Sequence, residues 1–291
     1  MESLRQGIVV KAYSGYYYVQ DGCEEFVCSL RGRFRHEKQQ VVVGDRVELA
    51  LRSNRAGVIV KVLPRCSLLL RPTVANVEQA VIVFSVQQPE PDPGLLDRFL
   101  ITTFINNIKP LIYFNKIDLA AGGIMELVSC YQSVYPVMLT STITGTGLEE
   151  LSESLRGKIS VFAGPSGVGK STILNAILPG IKLKTGVISE KLKRGKHTTR
   201  HVELIPLPEG GMVADTPGFS SLELPDLRPE DLSCCFPEME QYRGQCYFTG
   251  CLHDREPDCA VKEAVGVGRI AEIRYQQYLR FLQELKGRRR Y

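Results

Sequence analysis

The chain contains no apolar run near the roughly 18 residues that span a bilayer. Its start, MESLRQG, has neither a basic n-region nor an apolar h-region. These absences argue against a membrane-spanning helix and a secretory leader, and the expectation is a cytoplasmic protein with no membrane partner. No low-complexity tract suggests disorder, and no internal repeat suggests a solenoid. Strong charge of either sign is also lacking, since the formal net charge is +4 over 291 residues. What remains is ordinary globular material, 44% apolar and 23% charged, long enough for two or three domains.

The modest charge is unevenly placed. Lys182, Lys184, Lys191, Lys193, Arg194, Lys196 and Arg200 stand against one acid, Glu190, in the stretch 182–200. The chain ends KGRRRY, and Arg31, Arg33 and Arg35 alternate near its start. A solvated loop accounts for any one such run, whereas three together favour a phosphate-rich partner such as nucleic acid. Nine cysteines without a secretory signal point to reduced thiols, which bind metal when clustered with histidine.

Residues 1–70 show five short β-branched or alternating runs, GIVVKAY, YYYVQ, EEFVCSL, VVVGDRVELA and AGVIVKVLP, separated by turns. That pattern predicts a small all-β barrel, and strand count alone fits an OB-fold or an SH3-like barrel. Tyr16, Tyr17, Tyr18 and Phe34 can stack on bases, although alternate ones are expected in the core. Residues 71–222 alternate strand and helix: QAVIVFSVQ, GLLDRFLITTFINN, KPLIYFNKID, GKISVFAG, KSTILNAILPG and HVELIPLPEGGMVADTPG. A three-layer α/β domain follows, with ligands at the carboxyl ends of its strands. Residues 223–291 hold a polar, proline-bearing connection, a Cys/His cluster and a helix with Ile270, Ile273, Tyr278, Phe281 and Leu285 at helical spacing.

GPSGVGKS, residues 164–171, is a G-x-x-x-x-G-K-[ST] loop between an apolar strand and a helix, the context the motif requires. Gly164, Pro165, Ser166, Gly167, Val168, Gly169, Lys170, Ser171 and Thr172 are thus expected around the phosphates of a nucleotide. Lys170 would meet the β- and γ-phosphates and Ser171 would ligate Mg²⁺. NKID, residues 115–118, selects the base. The Asp118 carboxylate accepts from the N1–H and 2-amino group of guanine and would face a lone pair on adenine. Asn115 would brace this element and the Lys116 stem would cover the base. In TSTITGTG, the backbone N–H of Ser141 is expected near the guanine O6.

ADTPG, residues 214–218, ends another apolar strand, where Asp215 would hold Mg²⁺ through water and the Gly218 N–H would sense the γ-phosphate. Thr199, with Thr198 as the alternative, supplies the switch hydroxyl for Mg²⁺ and the γ-phosphate. Phe219 stands where many GTPases carry a glutamine that orients the attacking water, so slow intrinsic hydrolysis is expected. His197 is the candidate to orient or deprotonate that water, against an equal reading as an RNA-facing or solvated histidine.

Cys246, Cys251, His253 and Cys259 are spaced C-x4-C-x-H-x5-C, a closed tetrahedral set for one structural Zn²⁺. The other six cysteines are expected to be ordinary thiols.

With its motifs in the order NKID, TSTITG, GPSGVGKS, HTTR, DTPG (G4-G5-G1-G2-G3), the chain resembles the circularly permuted GTPases. The barrel-like N-terminus and CYFTGCLHDREPDC make it similar specifically to the RsgA (YjeQ or YloQ) family of ribosome small subunit-dependent GTPases. That resemblance spans essentially the whole chain. It implies an OB-fold, a permuted P-loop GTPase and a zinc-binding, mostly helical C-terminal domain. It further implies a monomeric GTP phosphohydrolase that binds the 30S subunit and its 16S rRNA late in assembly, is stimulated there and then leaves. Phe219 and His197 match the family's apolar replacement and switch histidine, whereas Gly167 departs from the asparagine of potassium-activated GTPases. A GTP-stabilised RNA-binding scaffold with little hydrolysis is the competing expectation.

Overall fold

The computed structural model describes residues 4–32, 40–53, 55–70, 73–120, 122–178, 202–215 and 223–288. Five strands open the chain: β1 (Leu4–Tyr13), β2 (Tyr16–Asp21), β3 (Glu24–Leu30), β4 (Arg46–Ser53) and β5 (Ala56–Val62). They pair in the cyclic order β1-β2-β3-β5-β4, and β1 closes the ring on β4. Only β3 and β5 run parallel. The alternation in EEFVCSL turns Phe26 and Cys28 inward, where they meet Val9, Val19, Val47, Leu49 and Ile59. Tyr16 stays 56% exposed, and Tyr17 and Tyr18 are half-buried. Phe34 lies outside the described residues.

A short hairpin, β6 (Leu68–Leu70) with β7 (Thr73–Ala75), bridges the expected boundary near residue 70. The α/β unit then contributes β8 (Gln79–Ser85), α1 (Pro93–Ile105), β9 (Lys109–Asn115), α2 (Ile124–Gln132), β10 (Val137–Leu139), α3 (Leu148–Leu155), β11 (Ile159–Ala163), α4 (Lys170–Ile177), β12 (Glu203–Pro206) and β13 (Met212–Asp215). Its sheet order is β10-β9-β8-β11-β13-β12, parallel except for β12. β8 is buried at every residue, as a central parallel strand covered on both faces must be. α1 starts where Asp92 Oδ1 accepts from the Gly94 and Leu95 amides, with Pro93 in the first turn.

The barrel and this sheet are continuous, because β1 also pairs with β12 at Lys11 and Glu203. The Lys11 ammonium lies 3.4 Å from the Glu203 carboxylate across that rung.

The C-terminal module holds two 3-10 segments, Pro229–Cys235 and Pro237–Tyr242, followed by α5 (Ala260–Gly266) and α6 (Glu272–Arg288). The segment expected to be a polar connection is therefore part of a core. Leu232, Cys235, Phe236 and Met239 pack with Val261, Ile270, Tyr278, Phe281 and Leu285, and Ile101 of α1 joins them. Ile273 is only half-buried, and α6 instead buries Arg274.

Candidate nucleotide site and metal centre

Register brings the expected site residues to one end of the sheet. Asn115 lies beside Ser85 across β9 and β8, Phe114 beside Leu139, Ala163 beside Ile82, and Val161 beside Ala214, the residue before Asp215. NKID, the Ser141 loop, the Gly164 loop and the end of β13 thus converge, although the chain visits them in an unusual order.

Direct bonds tie the base element to the phosphate loop. Asn115, 1% exposed, donates through Nδ2 to Val168 O at 2.8 Å and accepts from the Thr140 hydroxyl at 3.2 Å. Lys116 adopts a left-handed backbone, φ +63, and donates to Gly167 O at 2.7 Å and to Gln88 O. The close Asn115 approach needs Gly169. At φ +98 it disfavours a side chain, and a Cβ there would stand 2.4 Å from Asn115 Nδ2.

Asp118 sits on a one-turn 3-10 helix, Ile117–Leu119. Its Oδ1 accepts from the Ser141 hydroxyl at 2.5 Å, while Ser141 Oγ accepts from the Ile143 and Thr144 amides, both at 3.2 Å. The Ser141 N–H, expected to face guanine O6, is taken by Thr146 O at 3.1 Å. In this arrangement Ser141 meets the candidate site through its hydroxyl, which holds Asp118. Thr140 was missed as a brace for Asn115, because a threonine closing a three-residue strand carries no periodic signal.

Lys170 opens α4 and donates to Gly164 O at 2.7 Å and Pro165 O at 2.6 Å. Burial pushes its ammonium down to about 8, a bias that phosphate charge would reverse. Val168 is buried beneath the loop, Ser166 and Gly167 are exposed on it, and Ser171 and Thr172 follow Lys170 on α4, half-buried and exposed. His197, Thr198, Thr199, Gly218 and Phe219 lie outside the described residues, as does the Asp215 side chain.

The cysteine cluster also assembles. The donor atoms of Cys246, Cys251, His253 and Cys259 lie within 4.8 Å of one another. His253 Nδ1 is 3.5 Å from Cys246 Sγ and 3.4 Å from Cys259 Sγ, and these two sulfurs are 3.8 Å apart. Three thiols and a buried imidazole nitrogen facing one point suit a soft, tetrahedral ion such as Zn²⁺. The supporting loop is braced from outside. Tyr275 OH donates to His253 O and Tyr278 OH to Leu252 O, each at 2.7 Å, and Glu256 accepts from the Leu252 and Asp254 amides at 3.0 Å. Elsewhere, burial pushes Cys28 up to about 11 and Cys235 to about 12, as expected for unreactive core thiols.

Residues 62–225 match the RsgA GTPase family model and residues 6–59 the RsgA N-terminal domain model. The "Small ribosomal subunit biogenesis GTPase RsgA" of Moorella thermoacetica is 48% identical, covering 98% of this chain and 99% of that one. Its namesake in Carboxydothermus hydrogenoformans is 46% identical, covering 96% and 97%. Among solved structures, YjeQ from Thermotoga maritima superposes with a TM-score of 0.87 at 42% identity, over 98% of this chain and 99% of that chain. YloQ, described as a circularly permuted GTPase, gives 0.83 at 38% identity over 98% and 96%.

Proposed function

The chain belongs to the RsgA family of GTPases, and from that premise we propose that it hydrolyses GTP in the biogenesis of the small ribosomal subunit. It binds the 30S subunit through 16S rRNA late in maturation, hydrolyses GTP faster when docked, and leaves after hydrolysis. The observation that carries the reading is the bonding of Asn115 and Lys116 to Val168 and Gly167, which supports base recognition and phosphate binding as one site. Cytoplasmic location and a monomeric state belong to the same reading, and no described helix is long and apolar enough to cross a membrane.

In this scheme Asp118, oriented by Ser141, accepts from guanine N1–H and the 2-amino group. The N–H groups of residues 166–172 and the Lys170 ammonium surround the β- and γ-phosphates, with Gly164 and Pro165 shaping the loop's entry. A water oxygen bonds to the γ-phosphorus as the β–γ bridging bond breaks, giving GDP and phosphate, and Lys170 stabilises the charge that develops. Phe219 cannot orient the water, so His197 takes that part when the subunit docks, and Thr199 and the Gly218 N–H sense the γ-phosphate. Ser171, Thr199 and Asp215 would hold Mg²⁺, whose charge offsets that of the phosphates. Cys246, Cys251, His253 and Cys259 would hold a structural Zn²⁺.

The test is GTP and ATP hydrolysis with and without purified small subunits, beside Lys170→Ala. Stimulated hydrolysis specific for GTP, reduced about 100-fold or more by Lys170→Ala, is expected. Absence of stimulation would favour the GTP-stabilised scaffold that Phe219 also suits.

A further inference from the structure

Among the described residues the largest fully buried side chain is an arginine on the C-terminal helix: Arg274 of α6, 2% exposed. Its guanidinium is bonded to Asp97 of α1 and donates through Nε to Glu238 Oε1 at 2.7 Å. Its NH2 group reaches the Tyr135 hydroxyl and Glu238 Oε2, each at 3.4 Å. Three rings enclose it, with Cζ lying 4.7, 5.2 and 5.6 Å from the centres of Phe236, Tyr131 and Tyr135. A buried ion cluster is weak evidence for stability, because a well-packed apolar substitute is often as stable. Its geometric role is plainer, since Arg274 and Glu238 come from the C-terminal module and Asp97, Tyr131 and Tyr135 from the α/β unit.

The helices gripped by this clamp leave the base end of the nucleotide site. α2 follows the turn that carries Asp118. α1 is capped by Asp92, just after Gln88 and Pro89, where Gln88 O accepts from Lys116. A Cβ on Gly167 would sit 3.6 Å from the Pro89 ring, and Ser85 Oγ holds Pro89 O at 2.7 Å. Tyr131 links the two helices, donating to Asp97 Oδ1 at 2.8 Å and approaching Pro93 O at 3.4 Å. Hydrogen bonds, joined by the covalent stretch 89–92, thus link Lys116 and the phosphate loop to Arg274.

We propose that Arg274 is a positioning residue for the GTPase reaction: by clamping α1 and α2 to the C-terminal module, it keeps the guanine end of the site closed while the module is seated. The proposal rests on reading residues 115–118 and 164–172 as the nucleotide site. Loosening the clamp frees nucleotide faster, and nucleotide binding in turn tightens the module's seat, since coupling between two sites is reciprocal.

The test uses full-length, zinc-loaded protein and stopped-flow release of fluorescent GDP well below the unfolding temperature. Arg274→Met should speed release about fivefold or more, with Arg274→Lys, which keeps the charge, partly restoring the wild-type rate. Subunit-stimulated turnover should lose more in KM than in kcat, a split that a purely structural role would not give. Release within about twofold of wild type from an Arg274→Met protein with its full zinc content overturns the proposal. Should that variant fail to fold, Arg274→Lys and Tyr135→Phe decide, and wild-type release from both overturns it. Asp118→Asn in the same assay should transfer preference from GDP to xanthosine diphosphate. If it does not, the site reading fails and the clamp proposal falls with it, whereas a base switch with unchanged release in the Arg274 variants sinks the clamp alone.

Discussion

The two binding centres of this chain are built on opposite principles. At the nucleotide end the main polar side chains have protein partners: Asn115 holds Val168, Lys116 holds Gly167, Asp118 is held by Ser141, and Lys170 caps two carbonyls. Parallel strands set those positions, so folding alone makes the receptor. The Cys/His end has no strand, and apart from Cys259 at the cap of α5 its ligands lie in loop. There burial pushes the Cys251 thiol up to about 12, and a metal held by the cluster would supply cohesion that the loop itself lacks. One centre would then be a product of the fold and the other a condition for it.

Zinc removal should show the contrast at its largest. Chelation, or Cys251→Ser, should make residues 223–288 protease-sensitive while the central sheet keeps its melting transition, because structural zinc supplies on the order of 10 kcal/mol of folding free energy. A C-terminal module that stays protease-resistant with no metal bound would break the distinction.

A smaller effect should follow from Gly169→Ala. The new Cβ meets the Asn115 amide in a backbone region that suits glycine, a cost of about 1–3 kcal/mol. It should appear as weaker GTP binding by calorimetry with the fold retained. Unchanged affinity would mean that the Asn115–Val168 bond does not hold the site together.

The smallest effect concerns pH. Burial pushes Asp97 up to about 6, against the pull of Arg274 and the Tyr131 hydroxyl, and its Oδ2 has no hydrogen-bond partner among the described residues. Arg274, facing Asp97 and Glu238, is held charged well above its ordinary range. An acid raised in the folded state binds protons more tightly there than in the unfolded chain. Its contribution is therefore complete below the ordinary carboxylate value and is lost as pH rises through about 6. Melting temperature should fall on this account between about pH 4 and pH 6, and Asp97→Asn should flatten that part of the profile. An unaltered slope would show that Asp97 is ionised throughout.

Much of this architecture was legible in the residues. NKID, GPSGVGKS and C-x4-C-x-H-x5-C are short motifs whose chemistry fixes their spacing, and the five-strand barrel followed from alternation. What escaped depends on distant partners. Arg274 occupies the stripe position between Ile270 and Tyr278, yet nothing local says that a buried arginine there meets Asp97. That gap in the apolar spacing was the available signal. The Lys11–Glu203 rung joins strands whose pairing no periodicity encodes. The bond from the Ser141 amide to Thr146 was equally hidden, because it appears only once the loop has closed.

The strand order β10-β9-β8-β11-β13-β12 also has a meaning in time. Synthesis runs from the N-terminus, so β8, β9 and β10 emerge long before β11 can cover the far side of β8. Until then QAVIVFS presents one bare edge, the kind of surface to which foreign strands and chaperones attach. The nascent chain thus carries the Asn115 half of the candidate site unprotected until the Gly164 half arrives, and that site would be complete only once β13 has been made.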